Sequence, residues 1–198
     1  MSEIMDILGQ ALGGPVVGEM SRSIGAGRDQ TAAAIGAALP LLLGALSKNA
    51  SSGGGAASLY GALDRDHDGS VLDDVVGFFD GPSQGAGDAI LGHVLGNRRP
   101  GVETGISKAS GLDAAKVAQL LSLLAPLVMG ALAKAQRQRG LDAGGLSSFL
   151  QDERRSTEKA APDVMSSLGR LLDADADGSA LDDVAQIGSG LLGALFKR

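Results

Sequence analysis

Two stretches of this 198-residue chain carry side chains whose types and spacing suit metal chemistry. Residues 63–75 have the sequence LDRDHDGSVLDDV, and residues 172–184 have the sequence LDADADGSALDDV. In each, three aspartates alternate with other residues before a glycine, and two further aspartates begin three residues after the serine. Carboxylate oxygens on a tight turn are ligands that Ca²⁺ prefers, and without a cation their mutual repulsion is unfavourable at neutral pH. Each stretch therefore predicts a loop that binds a divalent cation.

The order of the ligands follows from the spacing. The predicted oxygen ligands of the first loop, residues 64–75, are Asp64, Asp66, Asp68 and Ser70. Those of the second loop, residues 173–184, are Asp173, Asp175, Asp177 and Ser179. The glycine before each serine, Gly69 or Gly178, takes the sharp bend. Up to the serine, both loops resemble the calcium loops of EF-hand and dockerin-like proteins.

Beyond the serine the two loops depart from that resemblance. The twelfth position, where EF-hand loops carry a bidentate acid, is Val75 in one loop and Val184 in the other. Either each loop is one residue shorter and is closed by Asp74 or Asp183, or water supplies the last ligand. The choice between Ca²⁺ and Mg²⁺ stays open for the same reason.

A structural turn is the alternative interpretation of both loops. Ser70 with Asp73, and Ser179 with Asp182, approximate a capping box that starts a helix at the following valine. One cap needs one side chain, so it leaves the alternating aspartates before the glycine unexplained. Metal binding is therefore favoured over a plain turn.

No arrangement typical of catalysis is present in the sequence. No glycine-rich stretch continues as a phosphate-binding loop with its lysine. His67 lies between ligand positions and is expected to face solvent, while His93 is expected at a helix surface. The basic corner formed by residues 97–99 is expected to be a solvated helix end. We therefore expect a protein that is not an enzyme.

Composition restricts the classes of partner. The net charge of −6 and the pI of about 4.8 disfavour nucleic acid and anionic lipid surfaces, and the chain has no tryptophan to stack on bases. It has no cysteine, and its N-terminus is acidic where a secretory signal would be basic. A cytoplasmic location is expected.

Landmarks recur in the same order along the chain, which indicates an internal duplication. ILGQALG at residues 7–13 matches ILGHVLG at residues 90–96, and each is followed by a long apolar run with a central proline and the ending G-A-L-x-K. An acidic loop comes last in both halves. We expect one repeat over residues 1–84 and a second over residues 85–198, with a shared core as one arrangement of the two.

Apolar residues at helical spacing predict an all-α fold, a compact multihelical protein made of two duplicated units. The clearest stripe consists of Val117, Leu120, Leu121, Leu124, Leu127, Val128 and Ala131. Asp113 and Asp29 are the expected N-caps of the two long helices, which are expected to kink or break at Pro40 and Pro126. Gly36, Gly44 and Gly130 are expected to allow close packing or to leave a face for another protomer.

The two apolar runs are expected to be buried core helices. Each is free of charge for fewer than the roughly 20 residues that a membrane-spanning helix needs, and each contains proline and glycine. The sequence thus predicts no membrane span.

Together these motifs resemble the YidB-like proteins, a bacterial family of unknown function. The residues that carry the resemblance are ILGHVLG, ASGLDAAKVAQLLSLLAPLVMGALAK and the repeated D-x-D-x-D-G-S-x-L-D-D, and it extends from about Ile4 to about Leu195. The resemblance implies a compact multihelical fold in a cytoplasmic bacterial protein. It implies no activity, substrate or catalytic residue.

Two functional hypotheses follow from the sequence. The first is a non-enzymatic cytoplasmic protein that binds Ca²⁺, or less selectively Mg²⁺, through both acidic loops. The second is an assembly or scaffold module whose Ala/Gly/Leu-rich helices pack against a second copy or an unidentified protein partner, with the loops serving only as turns.

Overall fold

A computed structural model describes residues 2–67, 69–80 and 84–160. All regular secondary structure in these residues is helical, which confirms the predicted all-α class. The α-helices are α1 (Glu3–Ala11), α2 (Gly14–Ser23), α3 (Arg28–Ala50), α4 (Gly55–Asp66), α5 (Val75–Asp80), α6 (Gln84–Leu95), α7 (Arg99–Ser110), α8 (Ala114–Arg139) and α9 (Ala143–Ala160). Short 3₁₀ helices cover Ser70–Leu72 and Gly96–Arg98.

The two long helices α3 and α8 form the centre of the molecule. They pack on each other, α8 also contacts α6, α1 and α7, and α3 also contacts α9, α7 and α2. Every residue of the apolar stripe predicted on α8 is buried. A single buried apolar cluster extends from Ile4 in α1 to Leu150 in α9.

Helix α8 begins as predicted, and α3 does not. The Asp113 carboxylate accepts a hydrogen bond from the Lys116 amide at 2.9 Å, which also lowers the pKa of Asp113. The expectation that Asp29 caps α3 is wrong: the helix begins earlier, with Gly27 as N-cap and Asp29 inside the first turn. There the carboxylate is placed to interact favourably with the helix dipole instead.

Both long helices continue through their prolines, which excludes a break at Pro40 and Pro126; the kink, the other expected outcome, stays a prediction. Each proline is buried in the centre of the core, where packing on all sides keeps the helix intact. A proline has no amide hydrogen, so the carbonyl four residues earlier loses its partner within the helix. Those carbonyls belong to Gly36 in α3 and Ser122 in α8.

Two glycines allow other elements to lie directly on α8. A Cβ at Gly87 of α6 would overlap the Ser122 carbonyl, the group that Pro126 leaves without a helical donor. A Cβ at Gly130 of α8 would lie 2.6 Å from Cγ1 of Val71, which follows Gly69 in the first acidic loop. Gly130 thus allows a close approach, although to the acidic loop and not to another long helix, and the contact at Gly87 was not predicted.

Helices α3 and α8 are also long and apolar enough to meet a length-and-hydropathy criterion for membrane spans. Their apolar windows are 78% and 72% buried inside the protein, respectively. Core helices of globular proteins meet the same criterion, so it does not by itself indicate a membrane protein.

A buried carboxylate joins the two ends of the described chain. Glu153 of α9 is 5% exposed and accepts hydrogen bonds from the backbone amides of Glu3 at 3.0 Å and Ile4 at 2.9 Å, and from the Ser2 hydroxyl. These amides are at the first turn of α1, where they have no partner within the helix. Glu153 therefore caps α1 from the opposite end of the sequence.

Removing this cap tests the connection. Glu153→Ala would leave two buried donors and one partly buried donor without an acceptor. Since each unsatisfied buried donor costs about 1–3 kcal/mol, we expect a loss of about 3 kcal/mol or more in unfolding free energy. Urea denaturation followed by circular dichroism measures it.

Glu158→Ala is the matched control on the same helix. Its carboxylate is partly exposed and pairs with Arg154 one turn earlier on the helix surface, so a change within about 0.5 kcal/mol is expected. Equal effects of the two substitutions would show that Glu153 does not cap α1.

Candidate functional site

The first acidic loop begins inside a helix. Asp64 and Asp66 belong to the last turn of α4, and both are exposed. Residues two apart on an α-helix are about 200° apart around its axis, so their carboxylates diverge. Neither side chain makes an ion pair or hydrogen bond with the rest of the described protein.

The bend of the loop has the backbone geometry that the sequence predicts. Gly69 has φ 85° and ψ −6°, a left-handed conformation that other residues rarely adopt. The following residues form the 3₁₀ helix Ser70–Leu72, and the Ser70 carbonyl accepts a hydrogen bond from the Asp73 amide at 2.9 Å. This carbonyl is the Ser70 oxygen that was expected to bind a cation, and in the structure it accepts a hydrogen bond within the turn.

The loop is held in place by its contact with α8. Val71 lies in the notch left by Gly130, and a Cβ at Gly69 would be 3.3 Å from the Gly130 carbonyl oxygen. The α8 backbone and the loop backbone thus approach each other through two glycines. This packing fixes the position of the bend independently of any ligand.

Asp74, the predicted closing ligand, is the N-cap of α5. Its Oδ1 accepts a hydrogen bond from the Gly77 amide at 2.9 Å, and its carbonyl accepts one from the Phe78 amide. The capping box proposed between Ser70 and Asp73 is wrong for this helix, because the 3₁₀ turn intervenes and α5 begins only at Val75.

The described part of the protein contains no group of three Asp, Glu or His side chains placed to hold a metal ion. Asp68 lies outside the described residues. So do all the predicted ligands of the second loop: Asp173, Asp175, Asp177, Ser179 and Asp183. Of the first-loop ligands, the structure thus places Asp64, Asp66, Ser70 and Asp74 on one segment without bringing their oxygens to a common point.

A groove beside the loop brings together the two histidines of the chain. It has a volume of about 720 Å³ between α3, α4 and α6, and it is lined mainly by apolar side chains. His67 lines one side and is half-buried, not solvent-facing as expected, whereas His93 lines the other and is exposed. The sequence did not predict that the two histidines lie on one groove, because His67 follows α4, His93 belongs to α6, and these helices are not consecutive.

The end of this groove is fixed by Asn49 of α3. Its side-chain amide donates to the carbonyls of His93 and Val94, both at 3.0 Å. These carbonyls belong to the last turn of α6, where no amide of the same helix donates to them. Asn49 therefore ties the end of α3 to the end of α6.

A second, more polar cavity of about 510 Å³ lies where α6, α7 and α8 meet. Arg99 donates to Asp88 at 2.8 Å and to Glu103 at 2.7 Å, and Ser122 donates to Asp88 at 2.8 Å. The hydrogen bond from Ser122 is the main cause that lowers the pKa of Asp88, and the hydrogen bond from Arg99 is the second. The hydrogen bond to Glu103 is the main cause that raises the pKa of Arg99. The prediction that Arg99 belongs to a solvated basic corner is wrong, because two carboxylates hold it between helices.

The cap on α5 gives a direct test of how the loop is organised. We expect Asp74→Ala to lower the unfolding free energy by about 1 kcal/mol because an N-cap is lost, and Asp73→Ala to change it by less than about half of that. Thermal or urea denaturation in chelator measures both, and a larger loss in Asp73→Ala would favour the capping box instead.

Comparison with known proteins places the chain in a family. The family model described as bacterial protein of unknown function (DUF937) matches residues 6–136, which include the first acidic loop and end before α9. No curated protein and no solved structure matches the chain. Since the matched residues make up well over half of the sequence, the chain belongs to this bacterial family of unknown function, as its resemblance to the YidB-like proteins predicts.

Proposed function

We propose that this protein is a non-enzymatic, cytoplasmic helical protein that binds a divalent cation through its acidic loops. The observation that carries the proposal is the first loop itself: Gly69 has the left-handed bend of a D-x-D-x-D-G loop, and Asp64 and Asp66 next to it are exposed without a cationic partner. Ca²⁺ is the expected ion, with Mg²⁺ as the less selective alternative.

Binding in this proposal requires the last turn of α4 to unwind. In the helical conformation Asp64 and Asp66 point away from each other, whereas an extended chain ahead of the Gly69 bend can direct both carboxylates to one point. The fixed contact of Val71 with the Gly130 notch supports this, since the bend stays in place while α4 shortens. Helix ends open at little cost, so a cation can supply the required free energy.

The proposal extends to the second half of the chain through the duplication. Its support is the order of elements: two short helices and a long proline-containing helix occur as α1, α2 and α3, and again as α6, α7 and α8. The second loop, with its EF-hand-like spacing, is proposed to bind a second cation in the same manner. The burial of α3 and α8 supports core helices in place of membrane spans.

The second candidate function is assembly with another copy or with a protein partner. The apolar groove of about 720 Å³ between α3, α4 and α6 favours it, since such a groove can take an apolar helix. In this case the acidic loops are turns that start the following helices.

Calorimetric titration of chelator-treated full-length protein with Ca²⁺, and then with Mg²⁺, tests the leading proposal. We expect two sites, and the double variant Asp64→Ala/Asp173→Ala should lose the binding heat of both because each loop loses its first ligand. Circular dichroism should show a small decrease in helical signal as α4 unwinds.

The matched control is Lys116→Ala, a charge change outside both loops at a side chain that pairs with Asp113, and it should leave the binding heat unchanged. Absence of heat at millimolar Ca²⁺ and Mg²⁺ would contradict the proposal. A size that grows with protein concentration in light scattering, and that chelator does not alter, would then favour assembly.

A further inference from the structure

The apolar groove between α3, α4 and α6 reaches the core of the protein. Its lining includes the buried side chains of Leu46, Val94 and Met129. Leu59 of α4 and Ile90 of α6 also line it and are only half-buried. An apolar group placed in the groove would remove more of their surface from water, which is favourable. The groove therefore offers a preformed site for an apolar ligand.

Small residues keep this groove open. The residues that line it on α4 and on α6 recur at helical spacing, so one face of each helix is turned toward it. Several of them are small: Gly55, Ser58 and Ala62 on α4, and Ala86 and Ala89 on α6. A large side chain at one of these positions would fill part of the space, which makes the site accessible to mutation.

The size of the groove suits a small molecule. Sites for small ligands have volumes of about 300–1,000 Å³ and are mostly apolar, and this groove has a volume of about 720 Å³. A helix about 10 Å wide occupies roughly 120 Å³ per residue, so about six residues of a helix would fit, which is fewer than two turns. A helix from a second copy would therefore bury little of its surface here.

One end of the groove is marked by Asn49. Its side chain donates to the carbonyl of His93, and a Cβ at Gly55 would overlap the Asn49 carbonyl. The start of α4 and the end of α6 therefore meet at this point. Ser58, one turn into α4, and His93 both line the groove near this end.

This end of the groove carries hydrogen-bond donors that have no partner. Neither the Ser58 hydroxyl nor the His93 imidazole makes a hydrogen bond within the described part of the protein. A hydroxyl donates one hydrogen bond, and an imidazole donates at least one in either protonation state. The carboxylate of Asp66, which also lines the groove, lies beside Arg65 at the other end of α4, about 16 Å away along the helix axis. The Asn49 end therefore suits an anionic oxygen.

We propose that the groove binds a small aliphatic carboxylic acid, with its carboxylate at Ser58 and His93 and its hydrocarbon chain along the apolar lining. The chain supplies affinity by covering apolar surface, and hydrogen bonds to the charged head group fix its orientation. This inference does not rest on metal binding by the acidic loops. It gives the groove an occupant other than a second copy of the protein.

Calorimetric titration of the full-length protein with decanoate, in chelator at neutral pH, tests the site. We expect saturable binding, and Ala89→Phe should weaken it at least about tenfold because the ring occupies the groove. Ala57→Phe is the matched control, since Ala57 is exposed on α4 outside the groove lining, and it should leave binding unchanged. No saturable heat up to millimolar decanoate, or equal weakening by both substitutions, would overturn the proposal.

The neutral analogue 1-decanol tests the head group. Ser58→Ala/His93→Ala should weaken decanoate binding at least about tenfold and change 1-decanol binding less than about twofold. Equal losses for the two ligands would overturn the assignment of the carboxylate to these side chains. A size that grows with protein concentration in light scattering, that Ala89→Phe abolishes and that decanoate does not alter, would overturn the proposal in favour of a second copy.

Discussion

The structure depends on how closely other elements can approach the backbone of α8. Gly87 of α6 lies on the carbonyl that Pro126 leaves without a helical donor, and Gly130 of α8 accepts Val71 of the acidic loop. A helix this central and this apolar would normally keep its neighbours at the distance set by large side chains, about 8–10 Å between axes. Glycines at two points leave no side chain in the way, so α6 and the loop both contact the α8 backbone directly.

The close approach to α8 gives the Gly69 bend a defined position, whereas Asp64 and Asp66 lie before it in the last turn of α4. The left-handed conformation at Gly69 and the contact of Val71 come from packing on α8, while the aspartates of α4 follow the helix and point outward. Packing on α8 therefore contributes to the order of the loop backbone. A cation would act on the last turn of α4 alone, which connects the proposed function to the least constrained part of the site.

Helical periodicity and polar spacing predicted much of the fold but not its long-range contacts. The stripe on α8 and the Asp113 cap were predictable because they depend on residues a few positions apart. The capping of α1 by Glu153 was not, since nothing local in the sequence connects positions 150 residues apart. The continuous path of α3 through Pro40 was missed because burial outweighed a local preference.

The central claim is that α6 is fixed by a glycine contact on α8, and a pair of substitutions on the same helix tests it most directly. Urea denaturation should show that Gly87→Ala lowers the unfolding free energy by about 1–3 kcal/mol because its Cβ overlaps the Ser122 carbonyl. Gly92→Ala, which has open space around it, should be neutral or raise it by up to about 1 kcal/mol through better helix propensity. If Gly87→Ala were as well tolerated as Gly92→Ala, the close contact would not hold the helices together and the account would be contradicted.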